Sequence, residues 1–441
     1  MAADEPQKAI QARLGTFDTA MVVFSLVVGI GIFRTPAIVA AAAGSEFLFY
    51  TAWIAGGLIS LIGALTFAEI GSRYPRAGGY YRVVADCYDP TLAFMLNWSQ
   101  TLMQGAGAAG VAFIGAEYLM PILLPQWRPP HASLALACAT MLTLLALNYC
   151  GVKPGARAQN LLSTLKIIMI VGLGVTALMF APHVRTPAIG AATPPGLRLA
   201  SALIPCFYAY GGYQMTMNLG ADLKDARRRF PLAITAGMLT VVVLYLLLNV
   251  AYQRVLGIGG IADSKLAAAA LSRATFGPAG EALISIAVFL SAAGFVNATI
   301  LQMPRSFYAM AQDGVLPKAF LRVNPRTQVQ EVGLLFFGAT MLLPAFVLGS
   351  FEKLLDYVIF TDTLTLAVVA STLFVLRHRR TGDGGFLMRG YPALPAVYIV
   401  CLLGVAARVF SLEPRLALAG TVILLTGWPL FRLGHKLFGG R

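Results

Sequence analysis

Few residues of this chain combine a reactive or polar side chain with a place in an apolar segment. Arg34, Lys166 and Asp362 lie inside or at the edge of long hydrophobic runs, as do Glu69 and Glu117. Two glycine pairs share that setting. One is Gly29/Gly31 in Val28-Gly29-Ile30-Gly31-Ile32-Phe33-Arg34-Thr35-Pro36, the other Gly211/Gly212 in Phe207-Tyr208-Ala209-Tyr210-Gly211-Gly212-Tyr213. The histidines (His131, His183, His378, His435) and cysteines (Cys87, Cys138, Cys150, Cys206, Cys401) are scattered, with neither metal-ligand spacing nor a nucleophile–base arrangement. This pattern reads as non-enzymatic, with no cofactor and no resident metal. The glycine pairs offer backbone instead. Glycine costs roughly 1 kcal/mol against alanine in a helix interior and proline about 3, so each pair predicts an interrupted helix. Thr35 as N-cap and Pro36 at the first helical position are expected to start the second half-helix of the first run. Irregular backbone at membrane depth survives only where it is buried in protein or lines a cavity, which makes each break a candidate binding site.

The elements that position these residues are membrane spans. Of 441 residues, 58% are hydrophobic and 12% charged, against about 25% charged in soluble domains. Apolar runs predict about twelve spans, at residues 17–43, 46–71, 90–120, 132–150, 158–181, 199–222, 231–256, 280–311, 331–350, 354–376, 392–411 and 415–437. Met1 to Leu14 is polar and reads as a cytoplasmic segment without a signal peptide. With the N-terminus inside, roughly 22 Lys and Arg fall on the inner side and roughly 9 on the outer, the bias expected of a multi-pass protein of the cell (inner or plasma) membrane with both ends cytoplasmic. That bias accounts for the net charge of +14 without a nucleic-acid partner. Segments 75–88 and 262–276 are expected as short helices against the inner and outer faces.

The broken spans are the first and the sixth. Interruptions at equivalent places in two halves point to the site of a carrier built from inverted repeats. The expected units are residues 1–16, a first five-span repeat 17–181, an inverted second repeat 199–376, two further spans in 392–437, and a tail 438–441.

Four motifs carry a resemblance that covers Gly15 to about Pro325. They are Gly29-Ile30-Gly31-Ile32-Phe33, the stretch Ala68-Glu69-Ile70-Gly71-Ser72-Arg73-Tyr74-Pro75-Arg76-Ala77-Gly78-Gly79-Tyr80, the run Phe207 to Tyr213, and the stretch Arg305 to Pro317. Together they resemble the amino acid–polyamine–organocation superfamily, and within it the L-type amino acid transporters and their bacterial relatives. The chain departs from that pattern at Ile30, where a small residue is usual, at Tyr213 in place of tryptophan, and at Ala221-Asp222 in place of paired glutamates. The resemblance implies an all-α integral membrane protein of LeuT-type fold with a 5+5 inverted repeat. It implies a sodium-independent secondary transporter of α-amino acids working by alternating access, as exchanger or in proton-linked uptake.

By the same resemblance the amides of Ile30 and Gly31 hold the substrate carboxylate, with Gly29 shaping the break, and the carbonyls of Val27, Tyr208 and Gly211 hold the ammonium group. Tyr208 is the implied aromatic gate. Arg34 is either a residue snorkelling to the outer interface or a gate ion pair with Asp362 or Asp356. Lys166 is the implied cation-site lysine, its ammonium standing where sodium-coupled relatives bind the ion. Glu69 is expected to pair with arginines of the inner loops, and Glu117 to be solvated. Neutral substrates are favoured because no acid or second base is evidently placed to neutralise a charged side chain. A non-transporting amino-acid sensor and a carrier of cationic amino acids or polyamines remain open. Residues 121–131 contain no cysteine, so no disulfide-linked partner subunit is expected; the partners are the amino acid and the lipid bilayer.

Overall fold

The structure is a computed structural model. It describes residues 10–124, 131–181, 184, 194–264, 266–347, 352–381 and 385–438, without the side chains of 344–359 and 416. Among the described residues fifteen α-helices follow one another: α1 (Thr16–Val27), α2 (Gly31–Ala43), α3 (Glu46–Arg73), α4 (Gly79–Cys87), α5 (Pro90–Leu123), α6 (Ala132–Tyr149), α7 (Val152–Phe180), α8 (Pro195–Ala209), α9 (Ala226–Asp263), α10 (Ala267–Phe276), α11 (Pro278–Gln312), α12 (Glu331–Val347), α13 (Glu352–His378), α14 (Ala393–Leu412) and α15 (Pro414–Phe438). Short 3-10 turns occupy Tyr213–Asn218 and Lys318–Leu321.

Among the described residues nine helices are long and apolar enough to cross a membrane, and the pair α1/α2, bent by 43°, makes a tenth. α8 with its 3-10 turn and the 17-residue α12, both shorter than a membrane-length helix, occupy the places of the other two expected spans. α4 and α10 are the two short helices expected between spans. Helix starts follow their local chemistry. Asp89 caps α5 by accepting from the amides of Thr91 and Leu92 at 2.7 and 3.2 Å, with Pro90 in the first turn. Outward-facing side chains such as Phe47, Leu58, Leu161, Val243, Val400 and Val422 are apolar and exposed, the surface that a lipid solvent requires.

α1, α2 and α8 pack in the middle of the bundle against α3, α9 and α11. Trp53, Tyr210 and Tyr245 form a buried aromatic cluster there, with centroids 5.0–5.8 Å apart, Trp53 meeting both tyrosines edge to face. Both ends of the described chain lie on one side, here the terminal side. Residues before α1 pair with the segment after the sixth span: the amides of Arg13 and Leu14 both donate to Asp222 O at 2.8 Å, and Lys224 N donates to Leu14 O at 3.1 Å. Asp222 also meets Arg305 near the end of α11, and Gly434 of α15 abuts Val315 just beyond that helix.

Candidate functional site

The first break spans three residues. Val28 (φ −81°, ψ 78°) is the centre of an inverse γ-turn, in which Gly29 N donates to Val27 O at 2.9 Å. α2 then starts at Gly31 with Ile30 as its N-cap. This corrects the expected restart at Thr35 and Pro36: both lie inside α2. A proline there removes the amide that would bond Ile32 O, and Tyr252 Oη approaches that carbonyl instead at 3.4 Å. Phe33 N donates back to Ile30 O at 3.1 Å; the amides ahead of it, Gly31 among them, have no acceptor one turn back and lie next to the positive end of the α2 dipole.

Side chains from three other helices meet the carbonyls of this break. Lys166 Nζ donates to Val28 O. Ser291 Oγ of α11 lies 2.7 Å from Gly29 O and 3.2 Å from Val28 O. Tyr245 Oη of α9 lies 3.3 Å from Val27 O and 3.0 Å from Ala209 O, so one hydroxyl joins the ends of α1 and α8. Val27 O, expected to face the substrate ammonium, therefore has two protein partners, Gly29 N and Tyr245 Oη.

Lys166 is buried, 1% exposed. Its ammonium lies 5.7 Å from the Phe24 ring centroid and faces Gly294 of α11, where any Cβ would sit 3.3 Å from Nζ. The helix carrying it starts at Val152 rather than near Ala158. Lys166 is thus fourteen residues, or about 21 Å at 1.5 Å per residue, along α7, too deep for its head group to reach the interface. A buried polar chain holds the same region in place: Ser25 Oγ to Ser163 Oγ (2.8 Å), Gln159 Nε2 to Ser163 (3.0 Å), Asn297 Nδ2 to Gln159 Oε1 (2.9 Å) and Asn148 Nδ2 to Asn297 Oδ1 (2.6 Å).

The sixth-span break lies against the first. α8 ends at Ala209, and Gly211 N donates to Tyr208 O at 3.0 Å. Gly212 takes φ +112°, and a Cβ on it would overlap Leu26 O. A Cβ on Gly31 or Gly211 would make only ordinary contacts, at 3.6 Å from Ala209 Cα and 3.4 Å from Tyr208 O. The glycine requirement therefore falls on Gly212, next to the expected Gly211. Tyr208 Oη reaches Thr363 Oγ1 of α13 at 3.0 Å, tying the sixth span to the tenth.

Asp362 hydrogen-bonds Gln100 Nε2 at 2.5 Å, and the structure does not bring the Arg34 guanidinium onto it. Arg34 is exposed, within electrostatic reach of Tyr118 on α5; the side chain of Asp356 lies outside the described residues. Glu69 is fully buried and accepts from Arg73 Nε (2.8 Å), Arg377 Nε and Nη2 (2.7 and 2.6 Å) and Met388 N (2.8 Å). Glu117 is exposed. Sequence reasoning missed Ser291, Tyr245 and Gly294. The small residues Ser291-Ala292-Ala293-Gly294 were a readable sign of close helix approach, but their partner was not.

On the terminal side the bundle is closed by a buried, doubly hydrogen-bonded pair, Arg305 with Asp222 (3.1 and 2.8 Å), and by Asn218 Nδ2 on Gln302 Oε1 at 2.6 Å. Asp222, a departure from the usual pattern, thus partners an arginine of the Arg305 to Pro317 motif.

Among the described residues the chain is a bundle of membrane-length helices in which two broken spans pack against each other, the arrangement of a membrane carrier of LeuT-type fold. The Amino acid permease family model matches residues 14–426, and the chain belongs to that family of amino acid transporters. It is 26% identical to the serine/threonine exchanger SteT of Bacillus subtilis (strain 168) over 96% of each chain. Against the human Asc-type amino acid transporter 1 the identity is 27%, covering 97% of this chain and 83% of that protein. Against the Large neutral amino acids transporter small subunit 2 of Oryctolagus cuniculus it is 28%, covering 97% and 81%.

Proposed function

We propose that this transporter carries α-amino acids by alternating access without sodium, with Lys166 serving as a fixed cation. The observation behind this reading is the Lys166 ammonium on Val28 O, at the break of the first span and facing the eighth. A compact cation at that point satisfies carbonyls that the broken helix leaves without amides, as a bound sodium ion would. Being covalently attached, it needs no ion gradient.

The substrate zwitterion lies between the two breaks in this reading. Its carboxylate faces the amides of Ile30 and Gly31 at the positive end of α2, with Gly29 leaving room for it. Its ammonium faces the carbonyl end of α8 around Tyr208 and Gly211. Val27 contributes through shape, since its carbonyl is engaged. Tyr208, latched to Thr363, closes the side opposite the termini. The terminal side is cytoplasmic in this reading, in keeping with its basic loops, and the membrane is the cell membrane. The two five-span units 17–181 and 199–376 are inverted repeats, with 392–437 outside them. The cysteine-free stretch 121–131 supports a carrier with no disulfide-linked subunit.

Proteoliposomes containing the purified protein test this reading. Uptake of labelled neutral amino acids should proceed equally with and without sodium and should be stimulated by internal amino acid. Methyl esters and N-acetyl derivatives, which lack one of the two charges, should not compete. A sodium requirement would reject the fixed-cation role.

A further inference from the structure

The backbone groups at the two breaks can recognise any α-amino acid, so selection among amino acids needs contacts to the side chain. Asp362 of α13 is suited to that task. Gln100 is its hydrogen-bond partner, and no ion pair to it occurs among the described residues. Tyr208, Tyr213, Tyr80 and Tyr398 lie within its electrostatic reach, and the next residue, Thr363, holds the Tyr208 hydroxyl. Two of these neighbours carry a buried polar atom with no protein partner: Gln100 Oε1, on a side chain 1% exposed, and Tyr80 Oη, on one 2% exposed. A buried polar atom without a partner costs about 1–3 kcal/mol, more when charged. The Asp362 carboxylate and the Gln100 amide oxygen accept only, and the Tyr80 hydroxyl can accept as well as donate, so the group that suits all three is a donor.

We infer that Asp362, supported by Gln100, reads the substrate side chain, and that preferred substrates carry an O–H or N–H donor there. This rests on the zwitterion lying between the two breaks. An apolar side chain of equal size would leave Gln100 Oε1 unpaired and Asp362 with Gln100 as its hydrogen-bond donor, and a site built to bond a donor rejects the analogue lacking it far more strongly than a pocket rejects one methylene. A hydrogen bond to a charged acceptor corresponds to about a 10- to 100-fold preference.

The test is competition in exchange assays on reconstituted full-length protein, using two pairs of similar size: threonine with valine, and lysine with norleucine. The parent should favour the donor-bearing member of at least one pair by about tenfold or more. Preference within the first pair identifies a hydroxyl as the source, within the second an ammonium. Asp362→Leu should level either preference. Asp362→Asn, which keeps an acceptor oxygen and removes the charge, should keep a threonine preference and lose a lysine one. Because the readout is a ratio between competitors, reduced yield of a variant does not alter it. A parent that exchanges amino acids without favouring either donor, or an Asp362→Leu protein with the parental ratio, overturns the inference while the carrier reading stands. A parent that exchanges no amino acid overturns the carrier reading, and this inference with it.

Discussion

The two breaks touch, yet different forces hold them. At the first, side chains from α7, α9 and α11 meet the carbonyls of Val27, Val28 and Gly29. At the second, much of the stabilisation is local: the Gly211 to Tyr208 turn, the Gly212 amide on Gln214 Oε1 at 3.0 Å, and a backbone conformation that glycine adopts freely. The first break is therefore a junction whose shape depends on where three other helices stand. The second is a rigid corner. Alternating access requires helices to move past one another, so the first break should register that movement and the second should transmit it.

Substitutions can break this contrast. Lys166→Ala removes the charged donor from the junction and should lower exchange by about 10- to 100-fold in normally folded protein, as expected for a hydrogen bond involving a charge; parental rates in sodium-free buffer would end the assignment. Gly212→Ala should act on the corner. A side chain there costs about 1–2 kcal/mol in conformation alone and also meets Leu26 O, so the variant should melt at a lower temperature in detergent. Gly211→Ala should melt with the parent, and equal losses in the two would remove the distinction. Ser291→Ala takes away a neutral donor while Lys166 stays in place, and should reduce exchange about fivefold, for roughly 1 kcal/mol. Tyr208→Phe keeps the ring and removes the hydroxyl that meets Thr363. It should lower transport slightly and equilibrium binding less, whereas Tyr208→Ala should widen that gap. Equal binding and flux losses in Tyr208→Ala would make the residue a packing element.

Glycine composition placed both breaks in the sequence to within a residue or two, because the cost of glycine in a helix is local. Where the second half-helix restarts was not legible. Thr-Pro is a good helix start in isolation, but here Tyr252, over two hundred residues away, supplies a donor near the carbonyl that Pro36 leaves free. The choice between Gly211 and Gly212 was equally hidden, since it depends on Leu26 lying against one of them. Lys166 was legible as a charge in an apolar run. Its depth was underestimated because Val152 to Arg157 is polar enough to read as loop, although Pro154 fits a first helical turn. Asp362 was legible as an acid at membrane depth, but its partner belongs to tertiary structure: pairing it with Arg34 was reasonable electrostatics, and the fold gives it Gln100.

The segment before α1 offers a clock for the transport cycle. The amides of Arg13, Leu14 and Lys224 are held across the terminal side by bonds that join the start of the chain to the residues after the sixth span. If that side opens by parting these strands, each opening exposes the three amides to solvent together. Their hydrogen–deuterium exchange would then count openings without any substrate or label, and saturating substrate that speeds the cycle should quicken all three in step.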